Sequence, residues 1–87
     1  MPHFFFHLFN DEVILDEEGA EFTDASAAVE AAERMARGMA AESVRCGHLV
    51  LQHRIEVVDE SGVKIATARY GDVVEIQADD PPTPPRG

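Results

Sequence analysis

Apolar and polar positions change their spacing twice along the chain, and the changes divide it into elements. Residues 3 to 9 read His-Phe-Phe-Phe-His-Leu-Phe, aromatic and poor in helix formers, and Asn10-Asp11 tolerates turn geometry. A strand and a turn are predicted there, followed by a short strand at Val13 to Leu15. Asp16-Glu17-Glu18-Gly19 then reads as a solvated loop in which Gly19 can take a positive φ. From Asp24 the period becomes 3.6. Asp24 is placed as an N-cap, and Ala25, Ala28, Val29, Ala32, Met35, Ala36, Met39, Ala40 and Ser43 fall on one stripe. The other face carries Glu30, Glu33, Arg34, Arg37, Glu42 and Arg45. Glu30 with Arg34 and Glu33 with Arg37 stand four apart in the favourable orientation, and Gly47 is a natural stop. Gly38, inside the helix, costs about 1 kcal/mol relative to Ala, which points either to close backbone packing or to a tolerated weakness.

After the helix, Leu49 to Val58 is extended in character, Asp59-Glu60-Ser61-Gly62 is a turn signal, and Val63 to Tyr70 answers as the partner strand. Gly71-Asp72 marks a bend or bulge, and Val73 to Ile76 continues the sheet or adds a short strand. The elements assemble as an α+β fold of two layers, ββαββ: an antiparallel sheet of four strands, or five, with one long helix on one face. Residues 1–78 form this single domain. Residues 79–87, Asp-Asp-Pro-Pro-Thr-Pro-Pro-Arg-Gly, are expected to be a disordered tail of polyproline II character.

Side chains alternate across a strand, so Phe4, Phe6 and Leu8 point one way while His3, Phe5, His7 and Phe9 point the other. Both faces of the first strand are therefore apolar, and one helix covers only one of them. A second copy of the chain is the economical cover, which predicts a homodimer packing through Phe5, Phe9 and Val58, or through a strand edge.

The sequence has 87 residues, 45% of them hydrophobic, which suffices for one small core. Its net charge of −10 is uneven: residues 1 to 24 hold seven acids and no Lys or Arg, whereas residues 25 to 54 hold three acids against four arginines. So acidic a chain is repelled by phosphate backbones and anionic leaflets, and nucleic-acid and membrane partners are not expected. No apolar run approaches the roughly 20 residues of a membrane span, the N-terminal stretch lacks the features of a secretory signal, and one cysteine forms no intrachain disulfide. A cytoplasmic address is expected.

Several stretches together resemble a known family. They are Met-Pro-His-Phe-Phe-Phe-His-Leu at the start, Asp16-Glu17-Glu18-Gly19-Ala20-Glu21-Phe22 followed by Asp24, the Ala-rich helix, Arg54-Ile55-Glu56-Val57 with Asp59 to Gly62, and Val74-Glu75-Ile76. The chain is similar over most of residues 1 to 77 to a family of small uncharacterised bacterial proteins, a domain of unknown function common in proteobacteria. The resemblance implies a cytoplasmic stand-alone domain and brings no catalytic residue, cofactor or substrate. The Pro-rich tail lies outside it.

Candidate chemistry is sparse. Cys46 sits where a helix ends, so the dipole opposes a thiolate, and a structural thiol is the expected role. His3 and His7 share a strand face but stand about 13 Å apart, too far for one ion, and with His48 and His53 they predict no metal site. His7 is expected to pack and to approach a carboxylate or backbone group on the second strand. The loop from Asp16 to Glu21 lacks the ligand spacing of a calcium loop. The arginines Arg34, Arg37 and Arg45, with Arg54, form a candidate charged contact for Asp16 to Glu21, within a chain or between copies, against the simpler role of solvated helix charges. Pro81, Pro84 and Arg86 match P-x-x-P-x-R, a pattern common by chance in Pro-rich termini.

No cofactor is implied. The reading favoured is a non-enzymatic interaction or regulatory domain that self-associates through its sheet and takes a protein partner. The alternatives are a small enzyme or redox protein using Cys46 or His7, and a weak nucleic-acid binder acting through the helix arginines.

Overall fold

The computed structural model describes residues 1–77; the tail expected at 79–87 lies outside the described residues. Strand β1 (His3–Phe9) is followed by two short strands, β2 (Val13–Ile14) and β3 (Ala20–Glu21), then by the long helix α1 (Ala25–Arg45). Strands β4 (Arg54–Asp59) and β5 (Lys64–Arg69) form a hairpin, and a single helical turn, α2 (Tyr70–Val73), follows directly. The sheet is antiparallel and five-stranded in the order β2-β1-β4-β5, with β3 also paired to β1. The fold is α+β.

β4 pairs with β1 from Phe4↔Asp59 to Phe9↔Arg54, which fixes one edge of β1 along nearly its whole length. The other edge is shared: β3 pairs at His3 and Phe4, and β2 at Leu8 and Phe9. β2 and β3 thus behave as one strand broken in the middle. At the break Asp16 supplies the missing ladder, its Oδ2 accepting the Phe6 amide at 3.1 Å while the Asp16 amide donates to His7 Nδ1 at 3.0 Å. At the opposite side of the sheet β5 is an edge strand that begins and ends in a cation, Lys64 and Arg69.

α1 begins where the sequence places it. Asp24 Oδ1 accepts the Ala27 amide at 2.8 Å. The helix ends in a Schellman motif: the His48 amide donates to Ser43 O at 3.0 Å and the Gly47 amide to Val44 O at 2.9 Å, with Gly47 at φ 81. Of the nine positions on the apolar stripe, only Ala28, Ala32, Ala36 and Ala40 are buried, and Met35 remains 45% exposed. This alanine row lies on Ile55, Val57, Ala68, Tyr70 and Val73, with Phe4 completing the core and Phe6, Leu8 and Phe22 packed at its margin.

The C-terminal segment departs from the sequence reading. Residues 70 to 73 form α2 rather than a bend and the start of a strand, and residues 74 to 77 are not in the sheet. The fifth strand is instead Ala20–Glu21. Backbone bonding explains the turn: the Tyr70 amide donates to His53 O at 2.9 Å and the Gly71 amide to Leu51 O at 3.1 Å, which draws the chain off the β5 line and places Tyr70 and Val73 under α1. Val73 is apolar because it enters the helix–sheet core.

Two glycines behave oppositely. Gly19 has φ 66, and a Cβ there would lie 2.6 Å from both His3 Nε2 and Phe4 O. Gly38 meets nothing within 4 Å, so it is a tolerated weakness and not a packing requirement. Gly19→Ala is expected to destabilise the fold by about 1–3 kcal/mol, and Gly38→Ala to stabilise it by about 1 kcal/mol. Urea unfolding of the two variants checks both signs.

Candidate functional site

Three places bring functional groups together: the Asp16 loop, the sheet face opposite the helices, and a hollow at the end of α1.

Asp16 organises the loop between β2 and β3. Besides the Phe6 amide it accepts the amides of Glu18 at 3.1 Å and Gly19 at 3.0 Å, both on Oδ1. Partial burial alone would raise its pKa, but the bonds from Gly19, Phe6 and Glu18 and the neighbouring His7 hold the carboxyl below the ordinary carboxylate value. His7 is engaged as expected, with a backbone group of the segment just after β2. His3 is fixed as well, with Nε2 2.6 Å from Glu18 O and its amide donating to Glu60 Oε1 at 2.7 Å.

α1 and α2 share one core on one side of the sheet. Among the described residues no element packs on the other side. Phe5 and Val58 are direct cross-strand partners there and both are half-buried. Phe9 lies on the same face opposite Arg54, whose guanidinium sits 4.5 Å from the ring centroid. Val13, paired with Phe9, and Ile65 extend the apolar area and are 63% and 36% exposed. Between them Glu56 holds Arg54 Nε at 2.9 Å and Lys64 Nζ at 3.9 Å.

The helix arginines do not converge. Arg37 Nε donates to Val73 O at 2.9 Å and so ties α1 to α2. Arg45 lies 3.5 Å from Glu42 with both side chains largely exposed, and Arg34 is exposed. Among the described residues neither expected pair, Glu30 with Arg34 or Glu33 with Arg37, closes to an ion pair, and none of the three arginines reaches Asp16 to Glu21.

At the far end of β1 the turn after it, the last turns of α1 and the start of α2 enclose a hollow of about 340 Å³ lined by Asn10, Met39, Glu42, Ser43, Cys46, His48 and Tyr70. The His53 ring packs edge-on to Tyr70 with centroids 5.6 Å apart and lies 6.2 Å from His48, and its Nε2 is 3.6 Å from Asp11 Oδ1. Burial raises the Tyr70 phenol above its ordinary value, and Asp11 adds to the shift. Cys46 is exposed at the helix C-cap and forms no hydrogen bond to a histidine among the described residues. Among those residues no three His, Cys, Asp or Glu side chains are grouped to hold a metal ion, and no helix is long and apolar enough to cross a membrane.

The stretches that carry the family resemblance fall on this architecture: the β1 opening, the Asp16 loop, the alanine row and the β4–β5 turn. The model of one family, described as a domain of unknown function (DUF6894), matches residues 3–71, from β1 to the first turn of α2. The chain belongs to the DUF6894 family. No curated protein and no solved structure matches it. The DUF6894 match takes in the Asp16 loop, the open sheet face and the hollow, and leaves out residues 72 to 87.

Sequence reasoning missed the Asp16 node and the Asp11–His53 pair. The signal for the first was present: an Asp three residues before a Gly suits a side chain that accepts its own loop amides. The second had none, because Asp11 and His53 meet only through the β1–β4 pairing.

Two titrations follow. Because the folded pKa of Asp16 is lowered, its contribution to stability is complete above the unfolded value of about 3.9 and is lost as pH falls through the folded value. Asp16→Asn, which removes the charge, is expected to lower stability at pH 7 and to flatten its fall between about pH 5 and 2, as measured by urea unfolding across that range. Tyr70 is the one tyrosine and the chain has no Trp, so tyrosinate absorbance reads it directly. Its midpoint is expected above about 10, and Asp11→Asn is expected to move it down.

Proposed function

We propose that this DUF6894 chain is a small non-enzymatic interaction domain, bacterial and cytoplasmic, that self-associates as a homodimer through the open face of its sheet. The observation that carries the reading is the one-sided placement of α1 and α2, which leaves Phe5, Phe9, Val13, Val58 and Ile65 on a face against which no element packs among the described residues. A twofold partner presents the same patch in return, so apolar area meets apolar area without a second protein. The charges on that face also suit burial between copies. Glu56 already lies between Arg54 and Lys64, so docking does not strip an unpaired carboxylate of water. The bacterial and cytoplasmic assignments rest on the resemblance of the sequence and on its single cysteine.

An enzymatic reading has less support. Cys46 lies at the negative end of α1, and His7 Nδ1 is occupied as an acceptor from the Asp16 amide. Nucleic-acid binding through the helix is weakened because Arg37 is spent on Val73 O and Arg45 neighbours Glu42.

Light scattering on the full chain at high micromolar concentration is expected to give a dimer mass. Phe5→Asp and Val58→Asp are expected to give monomers with unchanged helical circular dichroism. A monomer mass for the unmodified chain overturns the proposal.

A further inference from the structure

α1 does not sit over the middle of the sheet. Its alanine row packs on β4, β5 and α2, so on the helix-side face of β1 only Phe4 is buried, while Phe6 and Leu8 are half-buried at the margin of the core. The uncovered part is a hollow of about 540 Å³, floored by Phe6 and Leu8 and walled by Ile14 and Leu15 on one side and Met35 on the other. The walls are large apolar side chains left in water: Leu15 is 60% exposed, Ile14 51% and Met35 45%. This groove lies on the opposite side of the sheet from the proposed dimer face.

Its charge is one-sided. Glu17 and Glu18 stand on the rim, no Lys or Arg among the described residues lines the hollow, and residues 1 to 24 contain none. Among the described residues neither glutamate is held in an ion pair. Asp16 also borders the groove, but its oxygens are taken up by three backbone amides, which fix the Leu15 to Gly19 wall in place. A fixed wall on one side and a flexible thioether on the other suit an inserted side-chain row, since the rigid side needs no ordering and methionine adapts to what it meets.

We propose that this groove between α1 and the β1–β2 hairpin docks a cationic amphipathic segment of a partner protein. Apolar side chains of the segment enter between Leu15 and Met35, and its Lys or Arg residues meet Glu17 and Glu18, the helix-in-groove mode of recognition. An acidic segment is repelled by the same rim, as is an anionic membrane surface.

Fluorescence anisotropy with a labelled Leu/Lys amphipathic peptide of about 14 residues tests the assignment. The full chain is expected to bind it, to ignore a Leu/Glu peptide of the same pattern, and to lose about tenfold in affinity for a Ser/Lys peptide that keeps the charge. Leu15→Asp and Met35→Asp, both at exposed positions, are expected to weaken Leu/Lys binding by at least about tenfold, with circular dichroism and light-scattering mass unchanged. Amide shifts on binding should cluster at Leu8, Ile14, Leu15 and Met35. Equal binding of the Ser/Lys peptide, unaltered binding by both variants, or shifts centred on Phe5 and Val58 overturns the proposal. So does conversion of a dimer to a monomer by Leu15→Asp, which would assign the groove to a second copy. Loss of the dimer in Phe5→Asp with peptide binding retained separates this inference from the function proposed above.

Discussion

The approach of α1 to the sheet through Ala28, Ala32, Ala36 and Ala40 governs the rest of the molecule. These four side chains are 0 to 3% exposed, and each reaches only one carbon from the backbone, so the helix must lie close on Ile55, Val57 and Ala68. A close helix has a narrow footprint. It covers β4 and β5, takes Tyr70 and Val73 beneath its edge, and leaves the outer part of β1 uncovered on the helix side. The core is therefore dense and small, and two apolar regions remain outside it, one on each side of β1. In a longer-chained helix face, leucines would have spread over β1 and filled the groove, at the expense of the fit to β4.

How much of this was legible depended on the range of the interaction. α1 followed from local signals: a capping Asp24, a 3.6-residue stripe and Gly47 after the last turn. The β4–β5 hairpin followed from Asp59 to Gly62, where Asp59 Oδ1 does bind the Ser61 and Val63 amides at 2.9 and 3.0 Å. The alternation of β1 correctly divided Phe4, Phe6 and Leu8 from Phe5, His7 and Phe9. The stripe of α1 was too broad, because periodicity places Met35 on the apolar side without saying where the sheet ends beneath it. Val73 to Ile76 was read as strand because apolar β-branched residues carry the same local signal in a strand as in a buried turn. Only the long-range amide bonds to His53 and Leu51 decide between them. The groove was illegible for the same reason: it is the difference between two footprints.

The charge of the chain takes a physical form in the structure. Of the acids before α1, Asp16 and Asp24 satisfy backbone amides and so act as structural acceptors, whereas Glu17 and Glu18 stand at a groove rim and form no ion pair among the described residues. The cations are dispersed over the helix and the open sheet face, with Arg37 bound to backbone and Arg54 stacked on Phe9. Net charge by itself does not describe where these groups lie.

The outer strand β5 carries a consequence for solubility. Its backbone on the far side from β4 is an open template on which another extended chain can add, the usual seed of fibre growth. Lys64 and Arg69 close both ends of that template, and the irregularity opposite Val57 and Val58 disturbs its pairing geometry. A sheet that grows by stacking copies in register would line up these cations along its length. Cations at both ends of the β5 edge thus oppose growth of strand on strand, which matters for a fold whose described residues leave apolar surface exposed on both sides of β1.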